Sequence, residues 1–254
     1  MQVTRAAFDA ELTEVLDDLA GMGRLAGQLM INASAALLQA DLVLADLVIA
    51  RAAEIGIQYH EAEQRCLTRL APCAPVAVEL CTVVAALRVA RDLRRMGHLA
   101  QHTAQLAQRT HPNLTVLPDE VRTVIAQLSL LAGGLAQQAV AALENLDPLC
   151  GDRLARAAGE LAALRRRLFG IVFAEGWSYG SESAAHAGLI GRHYERFSAC
   201  AVAVAKQVCH LITGRAQGPP LPVGQFSDPL PRQEHQHPRP IALRRCVPRS
   251  SGSR

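Results

Sequence analysis

The sequence predicts an all-α protein: two tandem antiparallel three-helix bundles related by an internal repeat, with a disordered tail behind them. Three observations carry this. Apolar residues recur in alternating steps of four and three over long stretches, that pattern occurs twice, and helix-breaking residues crowd at the C-terminus. Eight of the 13 prolines lie at or after Pro219, and aromatic residues make up only 4% of the 254. Strands favour aromatic and β-branched residues, so an all-β chain does not fit.

The first helix carries Phe8, Leu12, Val15, Leu19, Met22, Ala26, Leu29, Ala33 and Ala36 in one seam. A second opens at Asp41, an N-cap residue whose carboxylate can accept a free backbone N–H, and runs to about Leu70, just before Pro72. The third starts near Pro75 and reaches about Arg109, with Val89, Leu93, Met96, Ala100, Thr103 and Ala107 facing in. His111-Pro112-Asn113 to Pro118 breaks the chain. Pro118 followed by Asp119 and Glu120 starts a fourth helix, since proline fits the first turn and acids favour the positive end of the dipole.

That fourth helix repeats the first. Val121, Ile125, Leu128, Ala132, Leu135, Ala139 and Ala142 lie 106 positions after the first seam from Val15 to Ala36, and Asp147 falls on Asp41. A fifth helix begins at Asp147-Pro148, with Leu154, Ala157, Leu161, Leu164, Leu168 and Ile171 inward. The sixth, after a turn at Trp177 to Ser181, carries Ile190, Tyr194, Phe197, Ala201, Val204 and Val208, which a shift of 101 lays on the third. The repeats are therefore expected at residues 1–112 and 113–214. Ser181 to Ser183 reads as a helix cap. From 215 to 254 Pro and Arg dominate, and too few apolar residues remain to offset the entropy of ordering.

Charge follows the same division. The chain holds 26 basic and 23 acidic side chains, but seven arginines against Asp228 and Glu234 lie beyond residue 214, so the helical part carries 19 basic and 21 acidic groups. With few aromatics and a slightly acidic body, no basic groove for nucleic acid is expected. Seven cysteines without a C-x-x-C pair, and no apolar leader at Met1 to Phe8, point to buried reduced thiols and a cytoplasmic location. The uncharged run Thr123 to Leu143 is long enough for a bilayer but is interrupted by Gln127, Ser129, Gly133-Gly134, Gln137 and Gln138. It reads as a buried helix, not a transmembrane segment.

The residues richest in chemistry sit at matching places in the repeats: Asp92-Leu93-Arg94-Arg95-Met96-Gly97-His98 and Tyr194-Glu195-Arg196-Phe197-Ser198-Ala199. With the duplicated helices, the run CLTRLAPCAPVAVELCTVVAALRVARDLRR ending at Arg95, and the closing Leu211-Ile212-Thr213-Gly214, this resembles the PhoU family. Those are accessory and regulatory proteins of the high-affinity phosphate transporter. The resemblance covers about residues 6–214 and implies a cytoplasmic, non-catalytic adaptor. Such an adaptor negatively regulates phosphate-starvation signalling, with the transporter's ATPase subunit and a sensor histidine kinase as partners, and acts as a homodimer.

The family's motif is of the D-L-E-R-I-G-D type, whose carboxylates at i and i+4 lie about 6 Å apart and can share a cation. Family members can bind metal clusters there. Here Arg94 and His98 stand where acids belong, and Glu195 has Ala199 as its partner, so no metal and no cofactor is expected. A metal-binding helical bundle is the alternative reading, yet no Glu-x-x-His occurs. His98 and His102 share a helix face but lack a third ligand, and Cys209-His210 reads as a thiol beside an exposed imidazole. Asp92, Arg95, His98, Glu195 and Arg196 are the candidate motif or partner-contact positions. For the two arginines, a salt bridge to Asp92 or Glu195 is the competing explanation. Arg165-Arg166-Arg167 reads as a solvated helix face, with a phosphate patch as the competing one. No catalytic residue is expected, for Gly-x-Ser-x-Gly and the phosphate-binding Gly-Lys loop are missing from the sequence.

Overall fold

The computed structural model describes residues 2–70, 77–110 and 118–213. The described residues form α1 (Gln2–Gln39), α2 (Leu42–Arg65), α3 (Ala77–Thr110), α4 (Asp119–Asn145), α5 (Cys150–Val172) and α6 (Gly180–Thr213), with no strand among them. A short π-helical turn, Cys66–Leu70, extends α2. The predicted break at 111–117, the division between repeats at 112 and the tail from 215 lie outside the described residues, as do Cys73 and Cys246.

The predicted seams are the core. Val15, Leu19, Met22, Ala26, Leu29, Ala33 and Ala36 are at most 1% exposed, as are Val121, Ile125, Leu128, Ala132 and Ala139 of the repeated seam. α1, α3, α6 and α4 close a ring of four helices in which each touches the next; α2 lies against α1 and α3, and α5 against α4 and α6. The seam steps of four and three are what let neighbouring helices interlock along their whole length. α4 is long and apolar enough to cross a membrane by length and composition alone, yet more than half of its apolar stretch is buried against its neighbours.

The ends of the helices carry the repeat in their backbone geometry. Ala40 (φ 55°) and Leu146 (φ 48°) are the non-glycine residues with left-handed backbone among those described, and the 106-residue shift lays one on the other. Each turn is closed by the same long bond, Asp41 N–H to the Ala36 carbonyl (3.0 Å) and Asp147 N–H to the Ala142 carbonyl (3.2 Å), which satisfies carbonyls that a helix end leaves free. Asp41 then caps α2 as predicted, its Oδ1 accepting from Leu44 N–H at 2.9 Å. Asp147 accepts from Leu149 N–H instead, in a turn through Pro148, so α5 begins at Cys150 and not at the Asp147-Pro148 step. The serine cap predicted for α6 is also corrected. Ser183 lies inside the first turn, where its hydroxyl donates back to the Tyr179 and Gly180 carbonyls in place of an N-cap bond.

Two glycines permit close approach. A Cβ on Gly23 would lie 2.6 Å from Val140 Cγ2, so α1 and α4 meet there only because that atom is missing. Gly97, inside the α3 motif, receives the Ile55 side chain of α2, whose Cδ1 would lie 2.5 Å from a Cβ.

The two halves fill equivalent core positions differently. In the first, Leu93 packs beside Gly23 and Val140. The repeat shifts carry these three onto Tyr194, Ser129 and Ser34. There the fully buried Tyr194 hydroxyl lies 2.6 Å from Ser34 Oγ and is hydrogen-bonded to Ser129, while burial pushes its pKa up to about 12. Every polar group added to this site thus has a partner, the condition for burying it at low cost.

Candidate functional site

The motif segments of α3 and α6 meet where the two helices pack. Cys200, 6% exposed, lies at that junction, close enough to feel the charges of Asp92, Arg95, Arg196 and Arg91. Burial and then Asp92 push its thiol up to about 11, against the pull of the three arginines. Asp92, Arg95 and Arg196 are therefore brought together. Glu195 is held on the α5 side by Arg165, at 3.1 Å, and His98 stands a turn further along α3, beside Arg94 and His102.

These contacts correct the salt-bridge explanation of Arg95 and Arg196. Asp92, almost fully buried, accepts from Nε and Nη2 of Arg91 at 3.3 and 3.2 Å, and Glu195 is occupied by Arg165. Neither motif arginine has an ion-pair partner among the described residues, and both are exposed. A guanidinium left in water without a partner is free to bind something else.

Arg94, standing where the resemblance puts an acid, lies over the Tyr59 ring of α2 with its guanidinium carbon 4.7 Å from the centroid. Tyr59 in turn donates to Glu63 at 3.0 Å, and that bond is the first cause of its raised pKa. The repeat shifts carry Tyr59 onto Arg165, Glu63 onto Phe169 and Arg94 onto Glu195. In the second half Arg165 both pairs with Glu195 and lies over Phe169 at 5.4 Å. Each half thus holds one arginine, one carboxylate and one aromatic ring in the same three places, with the roles permuted. Cation–π and charge pairing supply the attraction in both.

The donor set does not fit the metal clusters that the resemblance implies. Arg94 is a permanent cation, Ala199 has no donor atom, and Glu195 is engaged by Arg165. Among the described residues no three His, Cys, Asp or Glu side chains converge on a point where a metal ion could be held. His98 and His102 do gain a neighbour that the sequence pattern had not supplied. His193 of α6 lies 6.0 Å from His102, ring to ring, with its Nδ1 3.2 Å from Thr103 Oγ1. Burial and then His102 lower its pKa to about 4. His98 is lowered too, by burial and then by Arg94 and His102. The signal for His193 was available, since the 101-residue shift lays it on Asp92.

The arginine run on α5 is divided. Arg165 is tied to Glu195 and Arg167 to Glu120 at 3.0 Å, leaving Arg166 exposed without an ion-pair partner among the described residues, so no continuous phosphate patch forms there. Hollows lie elsewhere among the described residues, two of them larger than a third on α4. One of about 400 Å³ over α1 and α4 is lined by Gly23, Gly27, Gln137 and the Arg24–Glu144 ion pair. The other, of about 590 Å³, is an open apolar trough at Leu130, Leu131 and Leu164 between α4 and α5. Neither lining sets a nucleophile beside a base.

Known proteins share this architecture and sequence. The PhoU domain profile matches residues 19–107. The chain is 37% identical over 210 residues to the phosphate-specific transport system accessory protein PhoU homolog 1 of Mycobacterium leprae, covering 83% of this chain and 94% of that one. PhoU homolog 2 of Mycobacterium tuberculosis is also 37% identical over 210 residues, with 98% of its length covered. The crystal structure of PhoU from Pseudomonas aeruginosa superposes with a TM-score of 0.72 at 22% identity, over 82% of this chain and all of that one. Sharing sequence with these relatives over nearly their whole length, and the fold of the solved structure, the chain belongs to the PhoU family.

Proposed function

We propose that this protein is a cytoplasmic, non-catalytic regulator of phosphate uptake and phosphate homeostasis. It holds down phosphate-starvation signalling by bridging the ATPase subunit of a phosphate ABC transporter and a sensor histidine kinase, and it acts as a homodimer. The observation that carries this reading is the near full-length match to proteins named as accessory to the phosphate-specific transport system. The architecture suits the role: long helices packed into one unit present rigid faces, and rigid faces dock without a large ordering cost. Exposed apolar residues on α2, Val43 at 81% and Ile57 at 60%, are surface of the kind a second copy covers. Asp92, Arg95, His98, Glu195 and Arg196 form the proposed contact region.

Deleting the gene and assaying phosphate-starvation reporters in high phosphate tests the role; expression is expected to rise. A pull-down from phosphate-replete cells, comparing wild type with Arg95→Ala and Glu195→Ala, tests the partners. Recovery of neither a transporter ATPase nor a histidine kinase refutes the adaptor. Stoichiometric iron or zinc in the purified protein would favour the metal-binding alternative.

A further inference from the structure

The outward stripes of α3 and α6 are more basic than any sum over the chain suggests. On α3 the exposed positions Leu80, Val84, Arg88, Arg91, Arg95, His98 and His102 follow one another at helical spacing. On α6 the corresponding stripe is Leu189, Arg192, Arg196, Ala199 and Ala203. The two helices run side by side, and Arg91, Arg95 and Arg196 all stand near enough to the Cys200 thiol between them for their charges to act on it, so the stripes share one face. The face carries five arginines; of the acids beside them, Asp92 is only 7% exposed and held by Arg91, and Glu195 is paired with Arg165 of α5. Arg88, Arg95, Arg192 and Arg196 have no ion-pair partner among the described residues.

Concentrating unpaired cations costs stability through mutual repulsion, so this face is made for contact with negative charge. Its shape selects the kind. From Arg88 to His102 the stripe runs about 21 Å at the helical rise, two helices wide, and neither of the hollows described above opens on it. Exposed apolar side chains stand at its ends, Leu80 (53%) and Val84 (39%) on α3 and Leu189 (46%) on α6. An acidic peptide would answer the arginines and leave those three in water. A broad basic face with apolar residues at its margins fits a surface that is anionic at the level of phosphates and apolar just beneath.

We infer that the α3/α6 face docks on an anionic phospholipid membrane through Arg88, Arg91, Arg95, Arg192 and Arg196, with Leu80, Val84 and Leu189 entering the interface. This rests on the reading of the same face as the contact region of a transport-system accessory protein. It adds the chemistry of what lies opposite: lipid phosphates, each able to take a bidentate guanidinium.

Co-sedimentation of the full chain with vesicles tests it, using phosphatidylcholine alone and phosphatidylcholine with about one third phosphatidylglycerol. Binding is expected only to the anionic vesicles, and it falls steeply between about 0.1 M and about 1 M salt as the Debye length shrinks from about 10 Å to about 3 Å. Changing Arg88, Arg95, Arg192 and Arg196 together to Gln lowers the partition coefficient about a thousandfold, or roughly fivefold for each charge lost. The double variant Arg95→Gln with Arg196→Gln loses about thirtyfold and serves if the quadruple one does not keep its helical circular dichroism. The matching tail variant, Arg239, Arg244, Arg245 and Arg249 to Gln, is expected to stay within about tenfold of wild type. Leu80→Gln with Leu189→Gln weakens vesicle binding but leaves binding to poly-glutamate unchanged. Three results overturn the inference: no binding of wild type to anionic vesicles, equal binding by the face variants, or loss confined to the tail variant. Tight binding to poly-glutamate without vesicle binding overturns it as well and assigns the face to an acidic protein. The vesicles contain neither transporter nor kinase, so failure here leaves the reporter and pull-down outcomes standing.

Discussion

Replacing Gly23 with Ala probes a close approach between α1 and α4, one helix from each repeat. The added Cβ would lie 2.6 Å from Val140 Cγ2 and 3.4 Å from Leu93 Cδ2. Carbon atoms settle about 3.5–4.0 Å apart, so the first contact is short by about 1 Å. Val140 is 6% exposed and β-branched, and in a helix such a side chain has essentially one χ1 rotamer, so its methyl cannot swing clear. Overpacking of this kind costs about 1–3 kcal/mol, and about 2–3 kcal/mol where the clash is this short and the rotamer fixed, while exchanging a mid-helix glycine for alanine returns about 1 kcal/mol. The expected net loss is about 1–2 kcal/mol, a fall in Tm of roughly 2–8 °C for a domain of this size. Gly134 and Gly159 provide the control, for nothing lies within 4 Å of a Cβ at either. Alanine there should stabilise by about 0.5–1 kcal/mol. Urea titration followed by circular dichroism measures all three, and Val140→Ala in the Gly23→Ala background should recover part of the loss. A Gly23→Ala protein as stable as wild type, or strict additivity with Val140→Ala, would refute the close-approach argument.

Tyr194→Phe takes the tyrosine hydroxyl from Ser129 and from Ser34, which keeps its bond to the Met30 carbonyl, and should cost about 1–2 kcal/mol; adding Ser34→Ala should recover part of it, because removing both partners leaves less unsatisfied. Ala40→Gly and Leu146→Gly each relieve a left-handed backbone and should stabilise by about 0.5–1 kcal/mol in thermal melts. His193 titrates at about 4 in the folded chain against 6.5 in the unfolded one, so the unfolded state binds more protons between these values. Stability is then complete above about pH 6.5 and declines toward pH 4, and denaturation midpoints of His193→Gln should fall less over that window. Arg94→Glu alone sets two carboxylates around Tyr59 and should destabilise by about 1 kcal/mol; Tyr59→Arg in the same chain sets a cation beside them, as Arg165 stands beside Glu195, and should restore it, a coupling that a double-mutant cycle reads directly.

The helices were legible because a buried seam must recur at helical spacing, and Phe8, Val15 and Leu19 could not have been polar without exposing the core. The caps were legible for a similar local reason: Asp41 precedes an apolar run and has an oxygen to offer. The start of α5 was not, because Asp147 has the same side chain but is followed by Pro148, and the turn that results consumes the cap. At the site, the positions were legible and their partners were not. Asp92, Arg95 and Arg196 were picked out by the repeat, yet whether an arginine is paired depends on which carboxylate reaches it across helices. Arg91 and Arg165 took the two acids that the motif arginines had been expected to use. The net charge misled for the same reason, since a body with slightly more acids than bases can still place its unpaired bases on one side.

Duplication followed by permutation explains why this chain could depart from its family's motif and keep its family's fold. The contact between the outer and inner helix of each half requires a cation, an anion and a ring within reach of one another, and it does not require a given residue to supply a given role. In the second half the inner helix supplies the anion, Glu195, and the outer one the cation and ring, Arg165 and Phe169. In the first half the inner helix supplies the cation, Arg94, and the outer one Tyr59 and Glu63. Packing is blind to this exchange, but the site is not. An inner-helix carboxylate adds to a negative field on which a cation can bridge two acids, whereas an inner-helix guanidinium removes that possibility and leaves Arg91, Arg95 and Arg196 without opposing charge beyond the buried Asp92. The arginine that stands in the place of an acid therefore also leaves the proposed basic face less opposed, so both features trace to one permutation that the fold tolerates.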